Sequence, residues 1–170
     1  MEELRTIRAT LTLFIKDGKI LLGEKKRGFA KGTLNGIGGK QDLGETIEHA
    51  MVRECKEEIG VEPTNYEQVG LILFNLWYKG EHVNMEMYIY KCYEYTGEIT
   101  ETEEIIPSWY ELDKIPFNRM LEDDLLWLPY VLEGKKVFGK VHFDKDMKML
   151  YNDIKPTENI IPDELNLTNV

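Results

Sequence analysis

Cysteine and histidine are both scarce in this chain. Cys55 and Cys92 are the only thiols, and His49, His82 and His142 are scattered. Two cysteines make no disulfide framework, and neither has a nearby Cys or His at zinc-ligand spacing, so any bound metal is expected to take oxygen ligands. No apolar run approaches the length that crosses a bilayer, and the Met1-Glu2-Glu3 start lacks the basic-then-apolar pattern of a secretory signal. No membrane partner is expected, and a reducing cytoplasm is the expected setting. Positive charge is also in deficit, with 21 Lys and Arg against 31 Asp and Glu and a net charge of -10. Nucleic-acid polymers demand a basic face, so a polymeric partner is not expected. Small polyphosphates are not, because divalent cations can bridge an acidic site to an acidic ligand.

At 170 residues the chain suits one domain with one core. Thr10 to Lys16 and Lys19 to Gly23 flank Asp17-Gly18, a two-residue hairpin signal. The glycine-rich stretch Gly32 to Gly39 reads as a loop. From Thr46 the pattern turns helical, with Ile47, Met51, Cys55 and Ile59 spaced by four and Gly60 placed to stop it. Tyr66 to Trp77 and Val83 to Tyr93 read as strands around a Lys79-Gly80 turn. Trp109 to Leu112 reads as a short strand, Glu122 to Leu132 as a helix containing Pro129, and Val137 to Phe143 as a strand. Asp144-Lys145-Asp146 then turns the chain into Met147 to Tyr151. A domain over 1–155 with a polar C-terminal tail over 156–170 is predicted, and interleaved strands and helices imply an α/β layered architecture.

The chemistry concentrates between Gly39 and Val61. On a helix, Glu54 lies three residues from Glu57 and four from Glu58, which places three carboxylates on one face. Like charges repel there, and hard divalent cations would relieve the repulsion by taking the oxygens as ligands. The plainer alternative is a solvated acidic face with Arg53 paired to Glu57 at a four-residue spacing. The surrounding residues separate the two readings. Gly39, Glu45, Arg53, Glu54, Glu57, Glu58 and Gly60 stand at the spacing glycine, five residues, glutamate, seven residues, Arg-Glu-aliphatic-any-Glu-Glu-any-Gly-aliphatic. Their joint chance is on the order of one in 10^8 per window at ordinary residue frequencies. This stretch resembles the Nudix box, with Cys55 standing at an aliphatic position, where a buried thiol behaves as a small hydrophobe.

The resemblance implies a Nudix fold, a mixed β-sheet sandwiched between α-helices. It also implies hydrolysis of a nucleotide, a small-molecule substrate, with Mg2+ as cofactor and Mn2+ able to substitute. Glu54, Glu57 and Glu58 would hold the metal, the Gly38 carbonyl would add a ligand, and Glu45 and Arg53 would brace the loop and helix. A base must still take the proton of the attacking water, and the candidates are a box glutamate or Glu104 in the run Glu101 to Glu104, which also counts among the metal ligands.

Beyond the box, Lys25-Lys26-Arg27-Gly28-Phe29, Leu34-Asn35-Gly36, Gly38-Gly39-Lys40 and Trp109 through Ile115-Pro116-Phe117 are similar to the MutT-type oxidised-purine nucleoside triphosphate hydrolases. Those enzymes convert 8-oxo-dGTP or 2-hydroxy-dATP to the monophosphate and pyrophosphate. That resemblance implies substrate contacts at Thr10, Lys25, Asn35, Gly38 and Gly39, and a purine-reading pair at Asp123 and Asp124. Two adjacent carboxylates can share a proton, so that one donates and the other accepts. Taken without the resemblance, the same pair also reads as acids favoured by the first turn of a helix. Phe29, Phe74, Met85 and Trp127 are either walls of a base pocket or plain core. Leu121-Glu122 departs from the mammalian-type enzymes, which carry Trp-Pro there, and removes an aromatic base contact. Two other readings share these motifs: a Nudix hydrolase for a different nucleoside diphosphate derivative, and a non-enzymatic nucleotide-binding module, which would be expected to have lost box acids.

Overall fold

Alternation of apolar residues along the strands places side chains on both faces of one sheet, and each face then needs a helix to cover it. The computed structural model describes residues 3–159. The elements are β1 (Thr6–Lys16), β2 (Lys19–Lys25), β3 (Leu34–Asn35), α1 (Ile47–Ile59), β4 (Glu62–Tyr78), β5 (Glu81–Thr96), β6 (Ile105–Glu111), a 3-10 turn (Phe117–Arg119), α2 (Asp124–Leu132), β7 (Lys136–Phe143) and β8 (Met149–Thr157). The strands form one mixed sheet in the order β3-β2-β1-β5-β4-β7-β8, with β6 on the far edge of β2. The β1–β5 and β4–β7 pairs are parallel and the others antiparallel.

Successive residues serve opposite cores. Leu13, Ile20, Leu22, Ile72 and Ile89 pack with Trp127, Leu128 and Val131 of α2. Their neighbours Phe14, Leu21, Leu71, Tyr88 and Tyr90 pack with Met51, Cys55 and Ile59 of α1. The sheet is thus sandwiched between two helices, as predicted. Thr46 caps α1 by accepting from the His49 N–H at 3.1 Å, and Gly60 ends it in the left-handed region at φ 79°. Both cysteines are buried and unpaired, and burial pushes the Cys55 thiol well above its usual range, which suits packing rather than chemistry.

Several elements are longer than expected. β1 begins at Thr6 rather than Thr10, β4 at Glu62 rather than Tyr66, and β6 occupies Ile105–Glu111 rather than Trp109 to Leu112. The two-residue β3 lies inside the stretch read as loop, and α2 starts at Asp124, two residues after the expected Glu122. β8 continues to Thr157, where Lys136 pairs with it, so sheet pairing passes residue 156, the expected start of the tail. The rest of that expected tail, from residue 160 onward, lies outside the described residues. Among the described residues no helix is long and apolar enough to cross a membrane.

Candidate active site

β1 pairs with β2 only from Phe14 to Lys16, which leaves the earlier part of its edge open. The glycine-rich loop takes that edge. Ile37 and Thr12 exchange backbone bonds, the Thr10 N–H donates to the Gly39 carbonyl at 2.9 Å, and the Gln41 N–H donates to the Arg8 carbonyl at 2.8 Å. A side chain on Gly38 would collide with the Thr10 carbonyl, and a Cβ on Gly39 would lie 2.5 Å from the Glu54 carboxyl carbon. These glycines are required by close approach: the loop must lie flat between β1 and the acidic face of α1.

Arg53 joins the loop to the helix. Its Nη2 donates to Glu45 at 2.6 Å and to the Lys40 carbonyl at 2.9 Å, and its Nη1 donates to Glu54 and to Glu57, each at 3.0 Å. The Asp42 N–H closes the loop onto Glu45 at 2.7 Å. Arg53 holds the Glu45 carboxyl down at about 2, so Glu45 is ionised throughout the neutral range. The four-residue Arg53–Glu57 ion pair of the plainer reading does form, and it coexists with the carboxylate cluster.

The acids of α1 differ sharply in setting. Glu57 points outward and is more than half exposed, whereas Glu58 is 5% exposed and accepts from the Gly38 N–H at 3.2 Å. Burial, with the nearby Glu54 charge, pushes Glu58 up to about 8, while the Gly38 N–H and Lys25 pull the other way. Glu54 is also raised, first by burial and then by the charges of Glu57 and Glu104, against the hold of Arg53. Two carboxylates made costly to ionise by low dielectric and by each other form an all-oxygen site whose charge a hard divalent cation would neutralise. As they stand, no three His, Cys, Asp or Glu side chains among the described residues are gathered to hold a metal, because Arg53 draws Glu54 and Glu57 to itself.

Glu54, Glu58 and Glu104 line a cavity of about 310 Å³. So do Thr10, Lys25, Asn35, Gly38 and Gly39, which brings most of the expected site residues to one place. Glu45, Arg53 and Glu57 do not reach it and lie on the outer side of α1. Glu104 is held by Arg27 at 3.3 Å, and its neighbour Glu101 by Lys26 at 2.9 Å. The lining also has an apolar part, where Phe74 stacks on Phe143 and pairs with Met85 across the strands, together with Leu121 and with Phe29, which rests on Tyr78. Trp127 is core instead, fully packed under α2.

Asp123 and Asp124 stand apart from the cavity lining, two residues beyond Leu121, and each is 3% exposed. The Trp127 indole N–H donates to Asp123 Oδ2 at 2.9 Å, while Asp123 Oδ1 and Asp124 Oδ2 have no partner among the described residues. Burial raises both carboxyls, and the neighbouring Asp123 charge raises Asp124 further. Asp123 is the N-cap of α2 and Asp124 its first residue, so the pair does occupy the favourable end of the helix dipole, and it is buried there as well.

Residues 4–131 match the family model described as NUDIX domain. The chain belongs to the Nudix family. It is 43% identical over 134 residues to the oxidized purine nucleoside triphosphate hydrolase of Danio rerio, an alignment covering 79% of this chain and 85% of that protein. The Mus musculus protein of the same name is 40% identical over 144 residues, with 84% and 91% covered. The crystal structure of a MutT protein from Bacillus halodurans superposes with a TM-score of 0.77 at 25% identity, covering 88% of this chain and 97% of that one. This Nudix hydrolase is closely related to oxidised purine nucleoside triphosphate hydrolases, and Nudix hydrolases generally use divalent metal ions.

Other cavity residues were not singled out by the sequence. Tyr78 and Lys79 come from the β4–β5 turn, and Met147 from the turn before β8. Lys79-Gly80 is legible only as a turn, because nothing local says that a hairpin tip will fold back toward the Nudix box.

Proposed function

We propose that this Nudix hydrolase cleaves an oxidised purine nucleoside triphosphate to the monophosphate and pyrophosphate with Mg2+, as a nucleotide-pool sanitising enzyme. The observation that carries this reading is one cavity lined both by the carboxylates Glu54 and Glu58 of α1 and by apolar and aromatic side chains. Such a cavity suits a ligand with a phosphate chain on one side and a base on the other. Glu54, Glu57 and Glu58 are the proposed metal ligands, with the Gly38 carbonyl and Glu104 completing the oxygen set; Glu54 and Glu57 must first turn from Arg53. The cation would neutralise phosphate oxygens and acidify the attacking water.

The chain's own residues supply the rest. Lys25, close enough to Glu58 to lower its pKa, offers the phosphate chain a point charge. Glu104, fixed by Arg27 at the cavity wall, takes the proton of the water. Arg53 and Glu45 keep the loop that carries Gly38 and Gly39 against α1. Thr10 and Asn35 contact the nucleotide from β1 and β3. Asp123 and Asp124, buried with two unpartnered oxygens behind the cavity-wall residue Leu121, would read the purine edge by sharing one proton between them once the base displaces that wall.

Leu121 in the cavity wall favours a second reading, a different nucleoside diphosphate derivative, since leucine offers a base less stacking area than an aromatic ring does. A substrate panel separates the two. Purified protein with magnesium should show higher kcat/KM for 8-oxo-dGTP or 2-hydroxy-dATP than for dGTP and dATP. A preference of about tenfold or more for ADP-ribose or a dinucleoside polyphosphate would replace the first reading with the second.

A further inference from the structure

The β4–β5 hairpin is long, and its tip returns to the cavity. Tyr78 and Lys79 line the cavity together with Lys40, which follows the two close-approach glycines of the loop. The Lys40 and Lys79 ammonium groups lie 5.2 and 5.4 Å from the centre of the Tyr78 ring. That ring rests on Phe29 at 5.3 Å. Neither lysine forms an ion pair among the described residues, whereas Lys26, Lys56 and Lys114 all do. Two like charges therefore meet one aromatic ring beside a cavity, and neither is neutralised by a carboxylate among the described residues.

The tip is also fixed in place. Lys79 at φ 50° and Gly80 at φ 81° form a two-residue turn with both residues in the left-handed region, closed by the Tyr78–Glu81 pair. Arg5, just before β1, grips Glu81 with two bonds, at 3.1 and 2.7 Å. The Lys79 side chain thus projects from a turn held at both ends.

We propose that this hairpin tip is a wall of the nucleotide site in which Lys79, with Lys40 across the Tyr78 ring, holds the phosphate chain of the ligand. The inference rests on the nucleotide triphosphatase reading above and adds a binding residue to it. A phosphate chain at the Tyr78 wall would meet a positive charge from each lysine, and the ring offers each ammonium a cation–π contact. The carboxylate end of the cavity and the lysine pair act on the same chain of phosphates from two sides, because Lys40 is joined through Gly39 to the loop against which Glu54 packs.

The test compares Lys79→Asn, which loses the charge but suits a left-handed turn, with Lys79→Arg, which keeps the charge. Steady-state kinetics with the preferred triphosphate are measured at about 20 and about 200 mM salt. Lys79→Asn should raise KM about fivefold at low salt with a much smaller change in kcat, and the difference should shrink at high salt; Lys79→Arg should stay near wild type. An unchanged KM in Lys79→Asn overturns the inference. So does a loss that Lys79→Arg shares and salt does not alter, since that pattern reports the turn rather than the charge. Wild-type turnover alongside an unaffected Lys79→Asn removes this inference alone, while a wild type that hydrolyses no triphosphate removes the underlying reading as well.

Discussion

α1 and the start of α2 both carry adjacent carboxylates into the protein, and they offset the cost of burial in different ways. On α1 a fixed cation does it: Arg53 reaches Glu45, Glu54 and Glu57, and Lys25 lies near Glu58. Around Asp123 and Asp124 the only side-chain donor among the described residues is a neutral indole. Leaving a buried oxygen without a partner costs about 1 to 3 kcal/mol, and an unpaired buried charge costs more. A proton is the cheapest remedy for the second pair. Glu45 is held as an anion by Arg53, buried Glu58 stays raised until a further cation arrives, and the α2 pair remains partly neutral and offers both a donor and an acceptor.

The sharpest break in this comparison comes from removing one charge on α1. Glu54→Gln should lower kcat by about 10^3 or more while leaving the fold intact, and chelation of divalent cations should abolish activity with magnesium restoring it. Circular dichroism and turnover measured together check this, and near-wild-type turnover would remove Glu54 from the metal site. Asp123→Asn should do less to the chemistry and more to selectivity. It fixes one member of the pair as an amide, so the ratio of kcat/KM for oxidised over normal purine should fall about five- to a hundredfold. An unchanged ratio would mean that the pair is only core.

The smallest effect concerns stability. A carboxyl whose folded pKa lies above its unfolded value adds stability below the unfolded value and loses that contribution as pH climbs through the folded one. Glu58, raised to about 8, should therefore make the metal-free protein less stable as pH rises from about 4 toward 8. Asp124, raised by burial and by Asp123, acts in the same direction. Asp124→Asn, which needs no proton to stay neutral, should gain about 2–4 °C in Tm at neutral pH and flatten the pH dependence. Thermal unfolding in the presence of a chelator at several pH values measures both, and stability that rises with pH would contradict the charge pattern.

The four-residue stripe through Met51, Cys55 and Ile59 and the Gly60 stop gave α1 to within a residue, because helix period and cap chemistry are local. Asp17-Gly18 foretold the first hairpin for the same reason, with φ values of 53° and 73°. The parallel β1–β5 and β4–β7 pairings have no local signature, since they depend on partners far apart in the chain. The first part of β6 and the end of β8 were missed because each contains a proline, Pro107 and Pro156, which reads as a breaker inside a strand. The box acids were legible as a set, but their division into Glu54 and Glu58 at the cavity and Glu57 at the surface depends on how α1 rotates against the sheet.

Those two prolines have a further consequence. Among the described residues β6 has β2 as its one neighbour and β8 has β7, so each leaves one flank open to a passing extended chain. Proline has no N–H to offer such a visitor, so it interrupts any new ladder that tries to grow along either strand. With Lys155 beside Pro156 adding charge to one of these flanks, both rims are poor seeds for filament growth even at high protein concentration.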